Sequence, residues 1–397
     1  MHVLNVKPFN FRAKLRVVEE FDVVVVGSGI AGAVAARFAA HAGFKTLLLE
    51  QKKLPRHKAC SGIQFGYFEK LLGAKIPAEA LCSNVLDHVS ITTPSGRSLR
   101  VPFKMFNFWR KSFDYWLTTL AEDAGADVRD ETRLLSLKRA LETGGPVELV
   151  ARDSRKHLVD VRANFLIAAD GLHSRVRKLL RPADFDKTRA TFALNRYFSE
   201  DDVPDVTLRD DTLYQVWNVD YSQLMFAWIY KKDDLWCIGV GARDDPRGHL
   251  DRFEKYVREK YGLSARAVKG EGFSQTMWGG PWLGAGNLLL VGDAAGLVDL
   301  YRGVCMDAAA YSARMAVKAV ERSVESGGTA APAYENLLRR LVERIQKNEK
   351  RELKHVGDNR ALKRYLRRFF LRGGLGMLIA NQINKLRSWE KLIFLPT

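Results

Sequence analysis

The chain reads as α/β: a largely parallel sheet flanked by helices, interrupted by an antiparallel β-sheet domain and followed by a basic helical C-terminal region. Three observations predict this. Glycine-bearing turns follow apolar runs at three distant places, FDVVVVGSGIAG, IAADGLHSRVR and NLLLVGDAAGLVD. Between the second and third lie stretches rich in aromatic and β-branched residues, TLYQVWNVD, QLMFAWIY and LWCIGVGA, the composition of an antiparallel sheet. Beyond Pro332 the pattern turns helical and strongly basic.

The first turn carries the most physical information. Val23 to Val26 form a continuous apolar run, as expected of a parallel strand buried on both faces. Gly27, Gly29 and Gly32 follow at GxGxxG spacing and open a helix whose small and apolar residues, from Ala31, continue through Ala40. Gly27 permits a tight turn, Gly29 lets backbone N–H groups approach a pyrophosphate, and Gly32 allows close helix–strand packing. A phosphate at such a helix N-terminus meets unsatisfied N–H groups and the positive end of the helix dipole. A second strand, Lys45 to Leu49, ends in Glu50, whose carboxylate can accept hydrogen bonds from a ribose. This order predicts a Rossmann-like dinucleotide-binding domain, without itself separating FAD from NAD.

The remaining elements follow in turn. After Glu50 comes a polar loop, QKKLPRHKACSG, then a short helix to about Leu72. Val85 to Phe103 is strand-like around a turn at Pro94-Ser95-Gly96. FNFWRKSFDYWLTTLAEDAG is an amphipathic helix, with Phe113, Trp116, Leu117 and Leu120 at helical spacing and Gly125 as its stop. Short strands in ADVRDETRLLSLKRA, PVELVARD and LVDVRANFLIAAD return the chain to the first domain at Asp170. A helix, LDRFEKYVREKYG, ends at Gly262, and a strand from Leu288 to Val291 re-enters the first domain. The expected division is a dinucleotide domain from 21–86, 109–185 and 281–330, a substrate-binding β-sheet domain from 87–108 and 186–280, and a helical basic region from 331–397.

A chain of 397 residues is too long for one simple core. No uninterrupted apolar stretch long enough to span a membrane is found, and the first twenty residues lack the apolar core of a secretory signal. Cys60, Cys82, Cys237 and Cys305 show no metal-ligand spacing, so no metal site is expected and a reducing cytoplasm is the expected setting. Lys and Arg outnumber Asp and Glu by 63 to 46, a net charge of +17. That excess argues for an anionic partner, whether phosphorylated substrate, acidic membrane surface or nucleic acid; the plain alternative is solubility alone. In the tail, Arg360, Lys363, Arg364, Arg367, Arg368 and Arg372 alternate with Leu362, Tyr365, Leu366, Phe369, Phe370 and Leu371. Such a helix either packs its apolar side on the body or presses Phe369, Phe370 and Leu371 into an anionic membrane, placing the protein peripherally at that surface. Nucleic-acid binding ranks third, because no nucleic-acid fold accompanies the charge.

In this order and at these separations the three glycine segments resemble the FAD-dependent oxidoreductases built like p-hydroxybenzoate hydroxylase, and within them the geranylgeranyl reductases, over about residues 21 to 325. The resemblance implies that Gly27, Ser28, Gly29 and Gly32 form the pyrophosphate turn and that Glu50 is the ribose acid. Arg110 matches an arginine near the FAD phosphates, while Asp170 and Gly171 match an Asp-Gly motif beside the pyrophosphate. Gly292 and Asp293, followed by the small Ala294, match a Gly-Asp motif whose carboxylate bonds a ribityl hydroxyl; by itself Asp293 also reads as a helix N-cap. KACSG, Lys58 to Gly62, resembles a Lys-x-Cys-Gly-Gly loop that sets a cysteine by the flavin ring. Gly303 and Val304, in RGVCM, occupy the loop beside the flavin pyrimidine. FAWIYKK resembles a strand lining a prenyl cavity, through Phe226, Trp228 and Tyr230. Ser61, Lys231, Val304 and Cys305 depart from the family pattern.

The implied activity is reduction of carbon–carbon double bonds in a prenyl lipid or diphosphate. FAD would be reduced by NAD(P)H or a small electron carrier, and Cys60 or a water would supply the proton. His57 and Lys58 are placed to favour the Cys60 thiolate. The alternative is an aromatic monooxygenase or halogenase working through a flavin–oxygen adduct on the same site; no Trp-x-Trp-x-Ile-Pro segment of the halogenase type is present.

Overall fold

A computed structural model describes residues 18–82, 84–138, 144–187, 189–224, 226–277, 280–299, 305–352, 358–372, 383 and 386–391. Its first sheet is built on β1 (Val18–Val26), β2 (Thr46–Leu49), β6 (Asp127–Arg129), β9 (Leu158–Ala168) and β16 (Leu288–Leu290). These lie in the order β16-β9-β1-β2-β6 and are all parallel. The two-residue β15 (Gly284–Ala285) closes one edge antiparallel to β16. An antiparallel arm, β7 (Arg133–Leu137) and β8 (Val147–Arg152), joins the first half of β9 on the side that β16 occupies further along.

The apolar runs explain why these strands are central. Val23, Val24, Val25, Leu47, Leu48, Leu166, Ile167, Leu288 and Leu289 are fully buried, each burial stabilising by about 1.5–3 kcal/mol. Helix α1 (Ile30–His41) packs against α4 (Arg110–Asp123) and α7 (Met306–Ser326) through Ala33, Ala35, Ala36 and Ala39, which are small enough for close approach. After β2, α2 (Phe68–Leu72) packs on α7, and α3 (Ala78–Leu81) adds Leu81 to the same core. Helix α5 (Arg175–Leu180) follows the second glycine turn and is capped by Ser174, whose hydroxyl accepts from the Arg177 N–H at 3.0 Å. Helix α8 (Ala330–Glu352) lies on α7, tied down where Tyr334 donates to the Leu290 carbonyl at 2.9 Å and Asn348 to Asp299 at 3.0 Å.

The second sheet contains β3 (Ile63–Phe65), β4 (Leu86–Thr92), β5 (Ser98–Asn107), β10 (Arg189–Ser199), β11 (Thr212–Val216), β12 (Ala227–Lys232), β13 (Leu235–Ala242) and β14 (Lys269–Met277). Their order is β14-β10-β13-β12-β11-β4-β5-β3. The sequence reading makes this sheet antiparallel throughout; in fact β4 and β11 pair in parallel. The reason is chain routing: β11 follows β4 only after the chain has passed through the first sheet, so no hairpin constrains their direction. β3 also belongs here, although the reading above left residues up to 86 in the first domain. One face of this sheet is apolar and covered by α6 (Pro246–Tyr261): Ile229, Trp236, Ile238 and Val240 meet Leu250, Phe253 and Val257. The other face carries polar and aromatic side chains and turns toward the loop after Glu50.

Helix α9 (Asn359–Arg372) rests on the second sheet. Leu362 and Leu366 are buried against Trp217, while Arg360, Lys363, Arg364, Arg367 and Arg368 stay exposed. The side chains of Phe369, Phe370 and Leu371 lie outside the described residues.

Candidate cofactor and active site

The three glycine turns converge because β16, β9 and β1 are parallel neighbours, so their C-terminal ends emerge on one edge. Backbone hydrogen bonds stitch that edge: Val291 to the Ala168 carbonyl at 3.0 Å, Ala169 to Val26 at 2.8 Å, and Gly27 to Leu49 at 2.7 Å. At Gly27, φ is +99° and a Cβ would stand 2.6 Å from the Ala169 carbonyl oxygen, so only glycine fits. A Cβ on Gly32 would fall 1.6 Å from the Gly27 carbonyl oxygen, which fixes glycine where α1 leaves the strand. Over Gly29 the space is open; only an Arg56 guanidinium nitrogen comes as near as 3.5 Å. Ala31 is buried beside Gly292, at 3.4 Å from a Cβ built there, and so brings the first and third turns together.

Glu50 is held in a dense set of donors. Its Oε2 accepts from the Ser28 N–H at 3.1 Å, the Ser28 hydroxyl at 2.9 Å and Arg56 Nε at 3.1 Å, and its Oε1 accepts from the Lys52 N–H at 2.9 Å. Burial pushes its carboxyl upward, but the Arg56 charge and the Lys52 and Ser28 donors outweigh it and hold the group below the usual range. Arg56 also reaches Asp114 at 3.2 Å, and Asp114 takes a bidentate pair of bonds from buried Arg110 at 2.7 and 2.8 Å. Burial alone would lower the Arg110 guanidinium's pKa; the Asp114 charge and the neighbouring Cys60 thiol raise it above its ordinary value. An unbroken ionic chain thus runs Glu50, Arg56, Asp114, Arg110. Sequence reasoning missed Arg56 and Asp114. The Arg110–Asp114 spacing of four on a helix was the available signal for Asp114, whereas only folding brings Arg56 over Gly29.

Asp170 accepts the Val176 N–H at 3.1 Å through Oδ2, while its buried Oδ1 has no hydrogen-bond partner among the described residues. Burial raises this carboxyl above the usual range. Gly171 beside it faces open space. Gly292, Asp293 and buried Ala294 form a short 3-10 turn, and no side chain caps it, so Asp293 is not the N-cap that its position suggested. Its Oδ2 instead lies 3.5 Å from Lys58 Nζ.

Lys58 belongs to the Cys60 loop, which is therefore docked on the third turn. His57 Nε2 lies 2.9 Å from Glu271 on β14, and Lys232 Nζ bonds the Ser61 carbonyl. The expected activation of Cys60 by His57 and Lys58 is thus redirected: His57 and Lys58 pair with Glu271 and Asp293, and Arg110 and Lys232 are the basic side chains near half-buried Cys60 among the described residues.

Across from this loop the strand registers align two rows of side chains. Glu271, Asn195, Gly239 and Trp228 are successive partners across β14, β10, β13 and β12, and Lys269, Tyr197, Cys237 and Tyr230 form the next row. In the first row Trp228 Nε1 donates to Asn195 Oδ1 at 2.9 Å, and Asn195 Nδ2 donates to Glu271 at 3.2 Å. A Cβ on Gly239 would strike the indole nitrogen at 2.1 Å, so this glycine makes the slot for Trp228. In the second row Tyr197 donates to Glu271 at 2.6 Å, and buried Tyr230 lies beside Cys237, whose thiol burial pushes up to about 12. Phe226 is placed elsewhere, against Trp217 beneath α9. Gly303 and Val304 lie outside the described residues.

The open cradle over Gly29, the ionised Glu50 and the orphaned Asp170 oxygen fit a dinucleotide with a diphosphate and hydroxyl donors. Among the described residues no cluster of His, Cys, Asp or Glu could hold a metal ion, and no helix is long and apolar enough to cross a membrane.

Comparison with known proteins agrees. Residues 20–229 match the FAD binding domain family. The chain is 30% identical to digeranylgeranylglycerophospholipid reductase 1 of Methanopyrus kandleri over 334 residues, which cover 79% of this chain and 83% of that protein. It is 28% identical to reductase 2 of the same organism over 347 residues, 84% and 85% of the two chains. Among solved structures, it resembles a geranylgeranyl bacteriochlorophyll reductase-like protein of Thermoplasma acidophilum at a TM-score of 0.76 and 22% identity, covering 87% of this chain and 91% of that one. The myxobacterial chondrochloren halogenase shares the fold at a TM-score of 0.67 and 19% identity, over 94% and 92%.

Proposed function

The chain belongs to the FAD-binding flavoprotein family that contains the digeranylgeranylglycerophospholipid reductases, and we propose that it saturates carbon–carbon double bonds in a prenyl lipid or prenyl diphosphate. The observation that carries this reading is the docking of the Cys60 loop between the Asp293 turn and the Trp228–Tyr230 face. A cysteine near Tyr230, on a loop beside a flavin turn, suits an apolar alkene.

Bound FAD, reduced by NAD(P)H or a small electron carrier, supplies the hydride; everything else falls to the protein. The Gly29 N–H and the N-terminus of α1 would hold the diphosphate, with Arg56 and Arg110 adding positive charge, while the Ser28 N–H stays on Glu50. Glu50 would accept from the adenosine ribose and Asp293 from a ribityl hydroxyl. The half-buried Trp228 ring would hold the alkene chain, with buried Tyr230 packed behind it, and the Cys60 thiol would hold the proton delivered to the second alkene carbon. The exposed arginines of α9 suit the anionic surface where such a substrate resides.

The deciding experiment is anaerobic incubation of dithionite-reduced protein with geranylgeranyl lipids and free geranylgeranyl diphosphate, read by mass spectrometry. A gain of one H2 per double bond supports the reading. In a parallel aerobic incubation with NAD(P)H, stoichiometric oxygen uptake with a hydroxylated or halogenated product overturns it in favour of a monooxygenase or halogenase.

A further inference from the structure

We infer that Lys232 and Glu271, both outside the cofactor turns, are positioning residues that clamp the Cys60 loop from the second sheet. The inference rests on the reading that this loop borders the flavin.

Lys232 is fully buried and makes no ion pair with a carboxylate among the described residues. A buried ammonium is costly unless its donors are used, and an apolar side chain would fill the position at less cost. Its donors go to the carbonyls of Ser61 and of Phe108, the latter at 3.0 Å, with the Trp109 ring 4.8 Å and the Tyr230 ring 5.6 Å away. Burial holds the ammonium's pKa below its ordinary value, outweighing the opposing pull of the nearby Cys82, Cys60 and Cys237 thiols and Glu271.

The loop is shaped to receive this cation. Gly62 has φ of +63°, accepts from the Phe108 N–H at 3.0 Å, and leaves no room for a Cβ, which would meet the Phe108 carbonyl oxygen at 1.9 Å. Ser61 and Gly62 are therefore bracketed between Phe108 and Lys232.

Glu271 holds the other end. Its Oε2 faces His57 at 2.9 Å and Lys269 at 3.6 Å, and its Oε1 accepts from Tyr197 at 2.6 Å and Asn195 at 3.2 Å. The carboxylate is thus aimed by the sheet, and His57 is its bond to the loop. Cys60 lies between the two clamps, so its thiol position is set by residues about 170 and 210 positions away in sequence.

The test is cysteine-resolved alkylation of the FAD-loaded full-length protein with iodoacetamide, followed by peptide mass spectrometry. Lys232→Met is expected to raise the Cys60 rate by about tenfold, the scale of one charge-assisted hydrogen bond. Glu271→Gln is expected to raise it less, and Lys232→Arg to bring it back toward wild type. The visible flavin absorption band should shift in Lys232→Met, because the loop beside the ring has moved. Buried Cys82 and Cys237 should stay unmodified. An unchanged Cys60 rate in both Lys232→Met and Glu271→Gln overturns the inference. So does parallel reactivity of Cys82 and Cys237, which reports general loosening. If Lys232→Met does not fold, Glu271→Gln decides alone, since it preserves shape. The readout needs no prenyl substrate, so a failure of the reductase reading would leave it interpretable.

Discussion

Ser28 and Glu50, 22 residues apart, meet at the edge of the parallel sheet, where one carboxylate oxygen accepts from both the backbone N–H and the hydroxyl of the serine. The strand ends dictate this contact, since β1 and β2 pair in parallel up to Val26 and Leu49. It has a consequence for pH. The folded pKa of Glu50 is depressed, and so is that of Glu271, where Tyr197, Asn195, Lys269 and His57 outweigh burial. Their stabilisation is complete above the ordinary glutamate value of about 4.5 and is lost as pH falls through the depressed folded values. Thermal melting of flavin-free protein should therefore show the loss of this contribution below about pH 5, against the opposite contribution of the raised Asp170 carboxyl. Glu50→Gln should lower the neutral-pH stability by about 1–3 kcal/mol and flatten part of the acid limb.

Two glycines of the first turn should behave differently. Gly29 faces open space, so Gly29→Val should fold and melt near the parent temperature yet emerge colourless. Gly32→Ala drives a Cβ into the Gly27 carbonyl and should lose stability even without flavin, by about 1–3 kcal/mol or more. Paired melting curves and absorption spectra separate the two.

The buried pair Arg110–Asp114 makes a sharper case. Arg110→Met leaves a buried carboxylate with only Arg56 and should cost about 3–5 kcal/mol by urea denaturation. Arg110→Met combined with Asp114→Leu should recover most of that stability but not flavin retention. Recovery of both would show that the pair serves only the core.

Cys60→Ala should keep the flavin and lower anaerobic alkene reduction by about 10²–10⁴-fold, the range for a lost general acid. Turnover within a factor of two of wild type would assign the proton to water.

What could be read from the sequence was what is local. Strand, turn and helix around Gly27 follow from residues within a few positions of one another, and the pairs Asp170-Gly171 and Gly292-Asp293 each announce a turn after an apolar run. What could not be read is registry. Nothing near Trp228 in sequence indicates that Gly239, Asn195 and Glu271 are its row mates, because three strand pairings must each fall in one register for that row to exist. The parallel β4–β11 pair was hidden for the same reason. Phe226 and Trp228 alternate in sequence, yet β12 begins between them and α9 claims the first.

Helix α9 gives the last prediction. With Leu362 and Leu366 committed to Trp217, the exposed arginines are what the described face of α9 offers to an anionic surface, and binding through them should be strongly salt-dependent. Binding to anionic vesicles should drop when Arg364, Arg367 and Arg368 are each changed to Glu, and should weaken as salt is raised. Equal binding by the altered protein would place the surface contact elsewhere.

The adjacency of β1, β9 and β16 also bears on biosynthesis. Strands at residues 18–26, 158–168 and 288–290 must meet before the three turns face one another. A chain still emerging from the ribosome therefore owns only fragments of a cofactor site until the third strand is made. The nascent β1 and β9 pair must wait with an uncovered edge, exposed to mispairing in the interval. Flavin loading is in this sense a late checkpoint: colour reports not merely that the N-terminal motif has folded, but that translation has carried the chain beyond Asp293.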